Sequence, residues 1–378
     1  MLPKVMRTVG ALLASVLVVG PSFAHESHDD ETPSVAGMAL SGDGVAPINA
    51  DSHAPIGVMG DHMHHEGEWM LSYRFMRMVM EGNRIGRREV SPQEIATTIA
   101  NPFFGQPGQP PFLRVVPTDM TMDMHMFGAM YAPNDWLTLM GMAQYLVKSM
   151  DHITFQGGAG TNVLGTFTTR TKGLGDTSIA GLVRLWDDGV NHLHLNVGLG
   201  LPTGRLDKTD DVLAPNGARP VLRVPYAMQL GSGTFDLLPG ITYTGHSGEF
   251  GWGAQYRATM RLGKNDEGYR LGDIHRLTAW ASYRWAPWIS TSLRLAGERT
   301  GKIEGQDARI VAPVQTADPA NYGGDRLDVL FGVNLVAQNG SFRGHRLAIE
   351  FGMPVYQDLN GPQMQTDYQV TAGWQYAF

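Results

Sequence analysis

The sequence predicts an all-β protein: a transmembrane, antiparallel, up-and-down β-barrel of about twelve strands. Three observations support this fold. Apolar and polar residues alternate along many short segments, short turns alternate with long loops, and the 378-residue chain ends in an aromatic strand. Barrels of the bacterial outer membrane turn apolar side chains toward lipid and polar ones toward the lumen, with short turns at one end and long loops at the other.

The last strand shows the alternation most clearly. Over residues 368–378 the large side chains fall on one face, and Gln, Thr, Gly and Ala fall on the other. Successive side chains of a strand point to opposite faces, so this segment has one lipid-facing side. A terminal strand ending in Phe378 resembles the assembly signal of outer-membrane barrels and implies the barrel assembly machinery as a partner. The large face comprises Tyr368, Val370, Ala372, Trp374, Tyr376 and Phe378.

Eleven other strands follow from the same alternation between residues 67 and 353. An even number of strands leaves both ends of the barrel sequence on one side of the membrane, and the short turns identify that side as the periplasm. The segments 82–117 and 205–225 are long enough to fold inward as plugs. The predicted strands are 67–81, 118–131, 136–150, 175–186, 191–201, 233–244, 252–262, 275–285, 288–297, 326–336 and 345–353.

The N-terminus predicts a secretory signal peptide over residues 1–24. Two basic residues precede an apolar stretch, 9–19, and residues 22–24 have the small-x-small pattern of a cleavage site. The apolar stretch is too short to span a membrane, although an uncleaved anchor is the alternative. Residues 25–66 are polar and are interpreted as a flexible periplasmic extension, which leaves residues 67–378 for the barrel.

Composition argues against several classes of protein. The formal net charge of −7 argues against nucleic acid as a partner. The chain has no cysteine, so it holds no disulfide and no thiolate metal site. The sequence lacks phosphate-loop, dinucleotide-binding and HExxH zinc motifs, and we expect no enzyme activity. A barrel hydrolase is a minor alternative, because residues 245–249 resemble a nucleophile elbow without its final Gly.

A segment rich in His and Met precedes the first strand. Residues 57–66 read GVMGDHMHHE, and His25, His28 and His53 lie upstream. Imidazole binds copper, zinc or nickel and thioether sulfur favours copper(I), so the segment is a candidate copper or zinc site. The alternative is a solvated linker that happens to be rich in His, and no other cofactor is expected. The candidate ligands are Met59, Asp61, His62, Met63, His64 and His65.

The polar faces of the strands predict the lining of the lumen. A two-residue hairpin within 132–135 would set residue 126 opposite residue 141. The four methionines between positions 120 and 126 would then face lipid. Lumenal methionines would bind a soft metal, line an apolar path or simply fill space, and lumenal charges would pair or, where Arg is in excess, favour anions. The predicted lumen-lining residues are Arg74, Asp123, His125, Met140, Met142, Arg257, Arg284, Arg294 and Glu350.

Three Gly-containing motifs lie at strand ends: Gly173-Leu174-Gly175-Asp176, Leu201-Pro202-Thr203-Gly204 and the segment LGSGTFD over residues 230–236. In this order they resemble the outer-membrane family named for the MetA pathway of phenol degradation, which is distantly similar to transporters of fatty acids and aromatic hydrocarbons. The resemblance covers roughly the barrel. It implies an outer-membrane barrel, in contact with lipid, that takes up small and often apolar molecules.

Two readings of the function are therefore open. The first is an outer-membrane transporter or channel for a small molecule or ion. The second is a metal-handling barrel, of a copper type, whose extension captures the ion. A structural barrel without transport would lack an open path through its lumen.

Overall fold

The computed structural model describes residues 49–378. The predicted signal peptide lies outside this range, as do residues 25–48 with His25 and His28. The described part contains seventeen β-strands and one α-helix, α1, at Pro92–Thr98. The strands are β1 Trp69–Gly86, β2 Arg88–Val90, β3 Val115–Asn134, β4 Leu137–Phe155, β5 Val163–Leu174, β6 Thr177–Asp187, β7 Asn191–Leu201, β8 Thr209–Asp211, β9 Val221–Arg223, β10 Phe235–Ser247, β11 Phe250–Leu262, β12 Tyr269–Arg270, β13 Ile274–Ala286, β14 Ile289–Thr300, β15 Glu304–Gly305, β16 Gly324–Val336 and β17 Arg346–Ala377.

Eleven of the described strands form a closed antiparallel barrel, with β2 and β5 attached to it. The ring closes because β17 pairs with β1 as well as with β16. The first part of this 32-residue strand pairs with β16 and the second part with β1, so the chain crosses the wall twice within it. Counting both passes gives the twelve crossings that the sequence predicts, and the fold prediction is confirmed. The ring order is β1, β3, β4, β6, β7, β10, β11, β13, β14, β16, β17.

The two ends of the barrel differ. At the short-turn end, neighbouring strands are joined by brief connections such as 135–136, 188–190 and 287–288. At the long-loop end, the connections fold against one another and share buried apolar clusters. We call this assembly the loop cap. It comprises residues 87–114, 156–162, 202–234, 263–273 and 301–323.

The strand faces follow the predicted alternation along most of the ring. On β7, Val197 is half exposed on the outer face, whereas His194 and Asn196 are buried on the inner face. Exposed large apolar side chains recur on the outer face, where lipid lies. None of the helices in the described range is long and apolar enough to span a membrane.

Strand β3 is the exception, and its faces are opposite to the prediction. The turn lies at residues 135–136, so Met126 pairs with Gln144 instead of residue 141. A shift by three residues is odd, and an odd shift turns every side chain to the other face. Asp123 and His125 therefore do not line the lumen. The carboxylate of Asp123 accepts two hydrogen bonds from outward-facing Arg77, at 2.7 and 2.6 Å.

The outward position of His125 is clear from its neighbours. Its Nδ1 lies 2.8 Å from the hydroxyl of Tyr73, and its ring packs beside Phe75. The same odd shift brings Met120, Met122, Met124 and Met126 into the lumen. The expectation that these four methionines face lipid is wrong for the same reason.

Residues 49–66 are folded, contrary to the predicted flexible extension. They form a loop inside the barrel, with Ala50, Ile56 and Val58 almost fully buried. We call this segment the inserted loop. Its polar composition indicated a solvated linker, but polar groups can be buried where hydrogen-bonding partners exist. The wall strands supply those partners.

Candidate functional site

The inserted loop enters and leaves the lumen at the short-turn end. The backbone N–H of Ala50 donates to the carbonyl of Pro287, between β13 and β14, at 2.9 Å. The backbone N–H of Glu66 donates to Oδ1 of Asp135, in the β3–β4 turn, at 3.0 Å. Both legs of the loop are therefore tied to turns at the same end of the barrel.

The tip of the loop is held by side chains from the middle of two wall strands. Nε2 of His194 lies 3.0 Å from the carbonyl of Gly60, and the Gln255 amide donates to the carbonyl of Met59 at 3.0 Å. Gly60 has a positive φ of 64°. This left-handed conformation favours glycine, and it turns the chain back toward the short-turn end.

Lumenal arginines hold the entering leg. Arg346 donates to the carbonyl of Ala54 at 2.6 Å, and Arg284 donates to Oδ1 of Asp51 at 3.2 Å. Charge-assisted hydrogen bonds of this kind are about twice as strong as neutral ones. The loop is thus fixed by polar contacts to the wall on several sides.

A buried ion pair lies directly beside the loop. The guanidinium of Arg294 donates to both oxygens of Glu350, at 2.8 and 2.7 Å. A Cβ on Gly57 would clash with both groups, so glycine allows the loop to pass close to them. Arg257 approaches the carbonyl of Met59 at 3.5 Å, and Arg74 is buried on the inner face of β1.

One part of the barrel wall, formed by β1, β3 and β4, is lined with methionine. Cross-strand neighbours include Met76 with Met124 and Met78 with Met122. Thioether side chains adapt their shape and require no hydrogen bonds, so they form an apolar inner surface. We call this surface the Met wall. It comprises Met70, Met76, Met78, Met80, Met120, Met122, Met124, Met126, Met130, Met140, Met142 and Met150.

A cavity of about 600 Å³ lies between the tip of the inserted loop and the loop cap. Met59 of the loop, Met142 of the Met wall and Tyr322 of the cap all line it. Its charged lining contains four basic and four acidic side chains, so it has no excess of positive charge that would favour anions. These are Lys148, Arg257, Arg261, Arg326, Asp176, Asp236, Glu298 and Asp325.

A second cavity, of about 410 Å³, lies at the short-turn end beside the two legs of the loop. His53, Asp61 and His62 line it, together with His192 and His246 from β7 and β10. Nδ1 of His53 lies 3.3 Å from Nδ1 of His62, which in turn lies 3.1 Å from Oδ1 of Asp61. The ligand atoms of these three loop residues all lie within 4.8 Å of one another.

Burial determines the charge of these groups. It lowers the pKa of His53 well below its usual range and that of His64 to about 4, so both imidazoles are neutral at pH 7. Burial opposes ionisation of Asp61, but His62, His53 and Arg346 together hold the pKa of that carboxyl well below its usual range. The pocket therefore offers the neutral imidazole of His53 and the ionised carboxylate of Asp61.

The structure separates the predicted metal ligands. Asp61 and His62 lie together, whereas the side chain of Met59 lines the larger cavity and Met63 packs against the Met wall. Buried His64 lies close to Glu68, with Nδ1 3.4 Å from Oε2. His65 is exposed near Asp135. The mixed His and Met ligand set of the sequence is therefore not assembled at one point.

Some groups at this site were missed by the sequence analysis. His194 and Gln255 of the barrel wall hold the loop tip. In the sequence they can be recognised only as polar residues on the inward-facing side of their strands. His53 was counted with the candidate metal-binding segment, but nothing in its spacing from Asp61 indicates that the loop brings the two side chains together. The contacts between the inserted loop and these wall residues form only when the strands have closed into the barrel.

Comparisons with known proteins agree with this architecture. Residues 114–312 match the family described as the putative MetA pathway of phenol degradation, and the chain belongs to that family. No curated protein matches the sequence. An outer-membrane channel from Pseudomonas putida F1 is similar in structure, with a TM-score of 0.54 and 12% identity over 84% of this chain and 98% of that one. This likeness supports the barrel fold.

Two further structures match with lower scores. The β-domain of the Bordetella autotransporter BrkA has a TM-score of 0.41 and 10% identity, over 83% of this chain and all (100%) of that one. A FadL homologue of Pseudomonas aeruginosa has a TM-score of 0.40 and 10% identity, over 82% of this chain and 90% of that one. These scores are too low for any conclusion about function.

Proposed function

We propose that the protein is an outer-membrane channel for small molecules, closed in this conformation by the inserted loop, with its short-turn end in the periplasm. The observation that carries the proposal is the 600 Å³ cavity inside the lumen, between the loop tip and the loop cap. A cavity of this volume is in the range of small-molecule sites. The barrel fold, the family and the similarity to an outer-membrane channel support the same function.

The lining of the cavity favours solutes with an apolar part. Met59, Met142 and Met364 lie on its surface beside the ion pairs Arg261–Asp236 and Arg326–Glu298. Thioether side chains contact apolar groups without requiring a fixed geometry. Charged side chains that already form ion pairs with one another give little selectivity for ionic solutes. The hydrolase alternative has weaker support, because residues 245–249 form the β10–β11 strand turn and not the strand-to-helix turn of a nucleophile elbow.

A reversible lock on the inserted loop tests the channel directly. A Cβ on Gly373 would lie 3.0 Å from Cγ1 of Ile56, which is about the distance from a Cβ to the far sulfur of a disulfide. The natural chain has no cysteine. The double variant Ile56→Cys with Gly373→Cys can therefore form one disulfide, between the loop and the wall.

Conductance in planar bilayers is then measured on one preparation, oxidised and reduced. We expect the oxidised variant to have a low conductance and the reduced variant to have the conductance of wild type. The conductance of wild type should be the same under oxidising and reducing conditions. Equal conductance in both states would show that solutes bypass the loop. Absence of any conductance, in wild type and in the reduced variant, would contradict the channel function itself.

A further inference from the structure

Three metal-ligating side chains meet where the two legs of the inserted loop run side by side. His53 lies on the entering leg, and Asp61 and His62 lie on the leaving leg. We propose that these three residues bind a divalent transition-metal ion, zinc(II) or copper(II), which joins the two legs. The site is independent of the channel function, because a barrel that conducts nothing could still bind the ion.

The distances fit a shared ion. Two ligand atoms on a tetrahedral ion with bonds of about 2.0 Å are about 3.3 Å apart. The two Nδ1 atoms of His53 and His62 are 3.3 Å apart, and Nδ1 of His62 is 3.1 Å from Oδ1 of Asp61. Nδ1 of His53 lies 4.0 Å from the nearer oxygen of Asp61, Oδ2. Two of the three separations therefore match a tetrahedral ion, and the third has to shorten when the ion binds.

The carboxylate and the rings are already positioned. The backbone N–H of Ala54 donates to Oδ2 of Asp61 at 2.9 Å, which fixes the orientation of the carboxylate and leaves Oδ1 toward His62. A hydrogen bond from a neighbouring group to a metal ligand orients that ligand and raises the affinity for the metal. The ring of His64 lies 4.8 Å from that of His62, between centroids, so it adjoins the site but is not one of the three ligands.

Unpartnered polar atoms give an independent indication. Nε2 of His62 and Nε2 of His64 are buried and have no hydrogen-bond partner among the described residues. Buried polar atoms normally have a partner, so each one requires an explanation.

The donor set selects the type of ion. Imidazole and carboxylate suit zinc(II) and copper(II), whereas thioether sulfur is needed to favour copper(I). Neither thioether belongs to this cluster: Met59 lines the larger cavity, and Met63 packs against the Met wall. With three protein ligands beside a 410 Å³ cavity, the fourth position is free for water, as in open metal sites.

Titration of the full-length barrel with zinc(II) and with copper(II), in detergent after chelator treatment, tests the site. We expect one ion per chain, and a loss of affinity of about 100-fold in His53→Ala or in His62→Ala, since a tetrahedral site depends on each ligand. Asp61→Asn keeps the shape and the hydrogen bond from Ala54 and should lose affinity as well. Electron paramagnetic resonance of the copper(II) form should show coupling to at least two imidazole nitrogens.

His65→Ala is the matched control, because His65 belongs to the same loop but is exposed and lies outside the cluster. It should bind as wild type does, and a heat-modifiable band on gels should show that every variant is folded. Amide hydrogen exchange over residues 53–62 should slow when zinc(II) is added to wild type and not to His53→Ala. Equal binding by wild type and His62→Ala, or an equal loss in His65→Ala, would overturn the proposal.

Discussion

The folded segments at the two ends of the barrel are held by different kinds of contact. The inserted loop, at the short-turn end, is held by hydrogen bonds from wall side chains to its backbone, such as those from Arg346 and Gln255. The loop cap, at the other end, is held by apolar clusters that include Tyr226, Tyr269 and Val314. Water can replace the first kind of contact but not the second, so under the proposed function we expect the inserted loop to be the segment that opens.

The cap also contains a buried guanidinium that organises its loops. Arg114 is fully buried and donates to five carbonyl oxygens of α1 and the β4–β5 hairpin. Its partners are all backbone atoms of the same region. Arg346, in contrast, connects the wall to a separate segment. Arg114 therefore stabilises the interior of the loop cap, whereas Arg346 joins the inserted loop to the barrel wall.

Removal of the inserted loop should have the largest effect. A variant in which residues 1–24 are joined directly to His65 lacks the loop, and water would hydrate the exposed lumenal arginines. We expect a several-fold rise in conductance in planar bilayers with the barrel still folded. Conductance equal to that of wild type would show that the loop cap, and not the loop, limits passage.

Loss of the central arginine of the cap should have the next largest effect. Arg114→Met removes hydrogen bonds from a charged group worth about 1.5–3 kcal/mol each, and leaves carbonyl groups buried without partners. We expect the hairpin around residues 157–161 to become sensitive to protease added to intact cells. Arg219→Met is the control, since Arg219 is exposed on the same cap, and cleavage of both variants alike would contradict the role of Arg114.

A single anchor of the inserted loop should matter less. Arg346→Gln removes the charged donor to the carbonyl of Ala54. A loss of about 1.5–3 kcal/mol would raise the displaced population of the loop roughly 10- to 100-fold. Single-channel openings should become more frequent, and Arg276→Gln, which removes a lumenal partner of Glu298, should leave their frequency unchanged. An unchanged opening frequency in Arg346→Gln would show that this contact does not hold the loop.

The sequence predicted the barrel well because alternation along a strand is a local property. The predicted strand 191–201 coincides with β7, and β17 contains both of the last two predicted crossings. The face of β3 was wrong because it depended on the position of one turn. Moving that turn to residues 135–136 changes the register by an odd number, and no residue in β3 itself reveals this.

The inserted loop could not be predicted, because its partners lie far along the chain. Arg346 is 292 residues away from Ala54, and Gln255 is 196 residues away from Met59. Helix α1, in contrast, had a visible signal that was not used. Ser91 accepts a hydrogen bond from the Glu94 backbone and precedes a proline at the first turn, a common pattern at helix starts.

The smallest expected effect concerns one hydroxyl in the loop cap. The hydroxyl of Tyr226 accepts a hydrogen bond from the backbone N–H of Asp307 at 3.1 Å, and burial raises the pKa of Tyr226 to about 12, so the group stays neutral over the physiological range. Tyr226→Phe keeps the ring in its apolar cluster and removes this bond, at a cost of about 1 kcal/mol. Tyr226→Ala removes the ring as well and should cost about 3–5 kcal/mol.

Hydrogen exchange at the Asp307 amide separates the two contributions. In Tyr226→Phe we expect faster exchange there and unchanged exchange elsewhere in the cap, whereas Tyr226→Ala should speed exchange across the whole apolar cluster. Conductance should remain that of wild type in the Phe variant, because the cap keeps its apolar packing. A rise in conductance in Tyr226→Phe would mean that the cap is held by polar contacts like the inserted loop, and the distinction between the two closures would fail.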